Sequence, residues 1–243
     1  MIMAKTCHDF DLIHWFMDGG CERISSFGSL KHFKAENAPA GSTARCLDGC
    51  AYKAKCPFDA ERLYITTPLR KATFLRFLGR TITGKDRPSK AEKYQALREG
   101  IYGRCVYRSD NNVVDHQMVN MDFTGGRTAS LTVTAFSKLC YRHTHIMGTL
   151  GEIRGNDEDG ILHVREFFGK SRKIHTKFLP LPGHLGGDIG IVKDFVALMN
   201  GAPTKQRDLT LVDVTVFSHK MAMAAEYSRL HNGEKVELEG FKG

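Results

Sequence analysis

The run VNMDFTGGRTASLTVTA, residues 119–135, decides the fold. Val119, Met121 and Phe123 alternate with polar residues, and so do Ala129, Leu131, Val133 and Ala135. A period of two is the mark of a strand with one buried face. Thr124-Gly125-Gly126 lies between the two runs, and paired glycines supply the left-handed backbone of a tight hairpin turn. Thr128, Ser130, Thr132 and Thr134 predict a second face that meets water or another subunit. A strand-like stretch lies at 23–30, and further ones at 143–147, 152–154, 161–168 and 173–178 follow one another without intervening helices. Strands in series without βαβ alternation predict an α+β class: a large, mostly antiparallel open β-sheet with helices packed on one face.

Helices are predicted at both ends. In MIMAKTCHDFDLIHWFMD, residues 1–18, Thr6 has the chemistry of an N-cap and Asp9 closes a capping box. Leu12, Ile13, Trp15 and Phe16 form an apolar side, and Asp18-Gly19-Gly20 stops the helix. His8, Asp11 and Trp15 share one face. A titratable imidazole near a helix start, beside a carboxylate, suits proton transfer; the alternative is a partly buried His that holds the helix end. At the other end, helices are predicted over 187–199 and 209–230. Asn232-Gly233 ends the second, whose stripe of Val214, Phe217, Met221 and Ala224 faces a core. Between the first strand and the sheet lie a polar loop over 31–55 and short helices at 57–64, 68–78 and 89–98. The whole reads as one domain, 1–243, with a Cys-rich basic insertion at about 31–100.

Hydrophobic and charged contents of 42% and 26% are those of an ordinary globular protein, and no apolar run approaches the ~20 residues of a membrane span. Lys5, His8 and Asp9 interrupt any signal-peptide core. Seven cysteines, an odd number without a secretory signal, predict reduced thiols and a cytoplasmic, membrane-free protein. The net charge of +8 is concentrated: residues 62–108 carry twelve Lys and Arg against Asp86, Glu92 and Glu99. Such a patch can meet nucleic acid, a phosphate-bearing ligand or an acidic partner. It has no nucleic-acid motif, so it reads as a solvated basic face, and nucleic acid is not an expected partner.

Two further clusters carry chemistry. Cys46-x3-Cys50-x5-Cys56, with Cys105 or a histidine such as His32 as fourth donor, has the composition of a structural zinc site. The alternative is a loop whose cysteines are merely small and half-buried. Gly183-His184-Leu185-Gly186-Gly187-Asp188 precedes a helix and suits a polyhydroxylated or anionic ligand; the alternative is a glycine turn capped by Asp188. No strand is followed by G-x-G-x-x-G opening a helix, so no dinucleotide fingerprint is present.

Cys7-His8-Asp9-x-Asp11-Leu12-x-x-Trp15, Ile24-Ser25-Ser26-Phe27-Gly28-Ser29-Leu30, Gly148-Thr149-x-Gly151-Glu152-Ile153-Arg154-Gly155 and Gly183-His184-x-Gly186-Gly187-Asp188 occur in that order. Together with Ser218-His219 and Ala224-Ala225-Glu226 they resemble the second half of the Gfo/Idh/MocA family of NAD(P)-dependent oxidoreductases. The resemblance implies a sugar, cyclitol or related polyol as substrate, with His8 as the catalytic group at the reacting hydroxyl. Lys5, Asp11, His184 and Asp188 are the expected substrate-binding residues. The family often has Asp four residues before this His; here Ala4 stands there, and Lys5 or Asp11 takes over its electrostatic part. The resemblance further implies NAD(P) in the complete enzyme but not bound by this chain alone, because the cofactor-binding half does not lie between Met1 and Gly243. It implies self-association through the sheet face, as a homodimer or tetramer. Two readings of other classes compete: a zinc-containing basic module that binds nucleic acid, and a non-catalytic assembly protein.

Overall fold

The computed structural model describes residues 2–66, 72–137, 141–157, 159–176, 187–201 and 212–242; of 72–76 it describes the backbone only. Eight strands and five α-helices are present among them, in an α+β arrangement. The strands are β1 (Cys21–Ser29), β2 (His116–Phe123), β3 (Arg127–Thr134), β4 (His143–Met147), β5 (Gly151–Asn156), β6 (Ile161–Glu166), β7 (Arg172–His175) and β8 (Val236–Glu237). The helices are α1 (Cys7–Met17), α2 (Ala72–Thr83), α3 (Lys90–Glu99), α4 (Gly187–Met199) and α5 (Val212–Leu230). The strands divide equally between two sheets, ordered β3-β2-β1-β8 and β4-β5-β6-β7.

The chain forms two compact units, one of residues 27–118 and one of residues 2–26 and 119–243. The larger unit holds the main core: Phe10, Cys21, Ile24, Val119, Met121, Phe123, Met221, Ala222, Ala224 and Ala225 are buried together. Ala129 and Leu131 pack against them while Thr128, Thr132 and Thr134 are exposed, as the alternation of β3 requires. The turn has Gly125 and Gly126 at φ of 76° and 73°, the left-handed backbone the two glycines are there to supply.

Helix α1 differs from its sequence reading at the start. Thr6 is helical (φ −82°, ψ −9°) and makes no side-chain cap, because a π-helical turn, Ile2–Thr6, extends the helix backwards. His8 is therefore more than a turn in. The buried stripe is Ile2, Thr6 and Phe10, continued by the partly buried Ile13 and Met17; Trp15 and Phe16 face solvent. At the far end Asp18 itself adopts the left-handed stop conformation (φ 49°, ψ 45°). Helix α5 ends at Asn232 and Gly233, both left-handed, with the Gly233 N–H donating to the Ser228 carbonyl. The Ser228 hydroxyl accepts from Ser26 N–H at 2.9 Å and donates to the Glu234 carbonyl at 2.6 Å, which fixes α5 to β1.

In the smaller unit, the helix expected at Pro57 begins later: Asp59 accepts N–H bonds from Glu61 and Arg62, and the π-helical turn is Arg62–Thr66. Ser89 and Glu92 form a capping box on α3. After α3 the chain folds back so closely that a Cβ on Gly103 would lie 1.6 Å from the Leu97 carbonyl oxygen. Gly103→Ala is expected to cost well over the ~1 kcal/mol of an average substitution, read as a fall in thermal midpoint. No described helix is long and apolar enough to cross a membrane.

Candidate functional site

All but one of the substrate-site residues expected from the sequence lie among the described residues. His8 and Lys5 are exposed on the N-terminal helical segment, and Asp11 is half-buried one turn beyond His8. The His8 ring makes no hydrogen bond or ion pair with any described residue. Asp188 is exposed in the first turn of α4, the end of a helix at which a carboxylate or an anion is favoured. His184 lies outside the described residues.

A different face of α1 lines a cleft of about 1090 Å³ in the larger unit. Asp9, Leu12, Ile13 and Phe16 line it at helical spacing, and strands β1 to β4 supply the remaining walls. Asp9 accepts from the Arg142 guanidinium, and Arg142 N–H donates to Asp157 at 2.6 Å. On β4, His143 and His145 are two apart and border the cleft together. His145 Nε2 lies 2.8 Å from Glu152, which also meets Arg154 and Arg165. The His145 hydrogen bond, with the two guanidiniums, holds the Glu152 carboxyl below its ordinary range against the opposing effect of burial. Arg142, His143 and His145 were not singled out in the sequence, and Asp9 was read there as a capping residue. The period-two spacing of 143 and 145 was the available signal; the Asp9–Arg142 pair, 133 residues apart, had none.

The four cysteines proposed as metal ligands come together in the smaller unit. Cys46, Cys50, Cys56 and Cys105 line one small cavity with Asp59 and Tyr107. His32, the alternative fourth donor, is engaged elsewhere: its Nε2 is 3.0 Å from the Tyr107 hydroxyl, and it does not line the cavity. Burial pushes the Cys46 and Cys56 thiols up, and the neighbouring sulfurs add to it. As the side chains stand, no three described His, Cys, Asp or Glu residues converge closely enough to hold a metal ion, so the expectation of a formed zinc centre is not met. Cys21, buried at the start of β1, is pushed up to about 12, chiefly by burial, and so stays a thiol at neutral pH.

The basic stretch is largely engaged within its own unit. Arg80 pairs with Asp86, Lys85 with Glu92 and Arg104 with Asp110, while Arg62 donates to the Cys56 carbonyl.

Both sheets are antiparallel where their pairing is described, and no glycine-rich strand-to-helix turn occurs among the described residues.

The fold itself is shared with known oxidoreductases. An oxidoreductase domain protein from Kribbella flavida overlays with a TM-score of 0.56 at 14% identity, over 96% of this chain and 50% of that one. Levoglucosan dehydrogenase, solved in complex with NADH and levoglucosan, overlays with a TM-score of 0.53 at 14% identity, over 96% of this chain and 48% of that one. The chain thus spans about half the length of these structures. No family model and no curated protein matches its sequence. The chain thus has the fold of about half of these oxidoreductase structures.

Proposed function

We propose that this chain is the substrate-binding and self-associating part of an NAD(P)-dependent oxidoreductase that acts on a sugar, cyclitol or related polyol in the cytoplasm. The observation that carries the reading is the overlay of 96% of the chain on about half of levoglucosan dehydrogenase. His8 is the group assigned to the reacting hydroxyl: its ring is exposed on α1, so a substrate has access to it. The imidazole is assigned to accept the hydroxyl proton, while Lys5 and Asp11 set the local charge. Asp188, and His184 on the segment before it, are assigned to the remaining hydroxyls. Hydride transfer is assigned to no residue of this chain; it requires a separate dinucleotide-binding part. Self-association is assigned to the β4–β7 sheet, which exposes Met147 and Ile174.

The test has two arms. NADH titrated calorimetrically into the purified chain is expected to give no tight binding; tight binding overturns the division of labour. In the complete enzyme, His8→Ala is expected to lower turnover by on the order of 10²-fold. Unchanged turnover with only a lower melting temperature would remove His8 from the chemistry.

A further inference from the structure

None of the residues assigned to polyol binding lines the four-cysteine cavity, and its construction points to a separate task. Backbone pairing builds it. Arg45 and Arg104 form an isolated antiparallel bridge; Cys46 N–H donates to Gly103 and Cys105 N–H to Ala44, at 2.9 and 2.8 Å. Side chains alternate across such a bridge, so Cys46 and Cys105 project to the face opposite the two arginines. This joins two cysteines that are 59 positions apart. The other two come from a tight loop: Gly49, at φ of +75°, turns the chain into Cys50, and the 3₁₀ turn Lys53–Lys55 delivers Cys56. Two of the four sulfurs already have the kind of outer partner a thiolate centre uses. Backbone N–H groups of Ala60 and Phe58 are directed at the Cys46 and Cys56 sulfurs, and such donors stabilise negatively charged sulfur.

The space among the four side chains is about 20 Å³, room for one water or one ion and too small for an organic ligand. A second and independent observation concerns the core. Among the described residues the unit of 27–118 buries only Ala60, Leu78, Leu97, Tyr107 and Val114 as apolar side chains. So few buried apolar side chains leave room for a cross-link to add stability, and the four cysteines of the unit are free.

We propose that Cys46, Cys50, Cys56 and Cys105 bind one soft divalent cation of the zinc class in a closed, structural tetrahedral site that stabilises this unit. Binding replaces four S–H protons by four metal–sulfur bonds, releases those protons to solvent and involves no redox change. Binding requires the four sulfurs to draw closer together than they stand. With four protein ligands the site keeps no open position and takes no part in catalysis.

The experiment uses the full chain, stripped with a chelator under reducing conditions and titrated with Zn²⁺ and separately with Co²⁺. One equivalent of Zn²⁺ is expected to protect four thiols from a disulfide reagent and to make the segment 27–118 resistant to limited proteolysis. Co²⁺ is expected to give the charge-transfer and d–d bands of tetrahedral thiolate ligation. Cys105→Ser is expected to lower metal affinity by about 100-fold or more. Thiols that react equally with and without Zn²⁺, or Co²⁺ spectra of octahedral oxygen ligation, would overturn the proposal. Should Cys105→Ser fail to fold, thiol protection in the unsubstituted chain still decides, because it needs no variant.

Discussion

Asp115→Ala is expected to destabilise the unit of 27–118 by about 3 kcal/mol or more. Asp115 is only 2% exposed and serves as the anchor of the chain after β1. Its Oδ2 accepts N–H bonds from Lys31 at 2.9 Å, His32 at 2.6 Å and Phe33 at 3.4 Å, and its Oδ1 lies 2.8 Å from His116 Nδ1. Alanine leaves those donors facing a carbon, and each half-buried N–H without an acceptor costs about 1–3 kcal/mol. Because His32 reaches the Tyr107 hydroxyl from this loop, the floor of the cysteine cavity loosens with it. Hydrogen exchange at residues 31–33 is the measurement, and unchanged protection there refutes the anchor role.

The same residue sets an acid limit. Burial pushes the Asp115 carboxyl up, but the His32, Lys31 and Phe33 amides and the His116 ring outweigh it and hold it below the ordinary carboxylate range. A lowered folded-state value means the ionised form binds fewer protons folded than unfolded. Its stabilisation is therefore complete above the ordinary carboxylate value near 3.8 and is lost as pH falls through the lower folded value. Asp115→Asn keeps one oxygen for the three amides but cannot ionise. It is expected to fold, with a smaller loss, and without this component of the acid transition.

Phe10→Ala is expected to cost about 3–5 kcal/mol, a large share of a typical total of 5–15 kcal/mol. Phe10 has no exposed surface and lies among Ile24, Met121, Met221 and Ala225. Truncation removes the transfer free energy of the ring and leaves a cavity that the small alanines of α5 cannot fill. The denaturant midpoint is expected to fall at constant slope. Because Phe10 and Asp115 belong to different units, their losses should appear in different peptides by hydrogen exchange.

The hairpin at 119–134, strands β4 and β5, and helix α4 follow their sequence patterns closely, because each is decided by local periodicity and by glycines with one available role. The start of α1 does not. Thr6 has the chemistry of a cap, yet Ile2 and Thr6 are both buried, and burying that turn outweighs a capping hydrogen bond of about 1 kcal/mol. Trp15 and Phe16 looked like core residues by hydropathy; Phe10 occupies that place, and only the packing of α1 against α5 settles which side turns inward. Likewise Asp9 was read as a capping residue, but its partner Arg142 is distant in sequence and local reasoning cannot find it.

What the sequence determined by itself is the α+β class, the extent of most strands and the composition of its thiol cluster, since spacing and residue chemistry are local properties. Tertiary structure alone decided that the strands divide into two sheets, that Asp9 rather than His8 faces the large cleft, and that Cys105 rather than His32 completes the thiol cavity. Those outcomes depend on which distant segments are paired, and pairing is set by the burial of whole faces, which no short stretch of residues specifies.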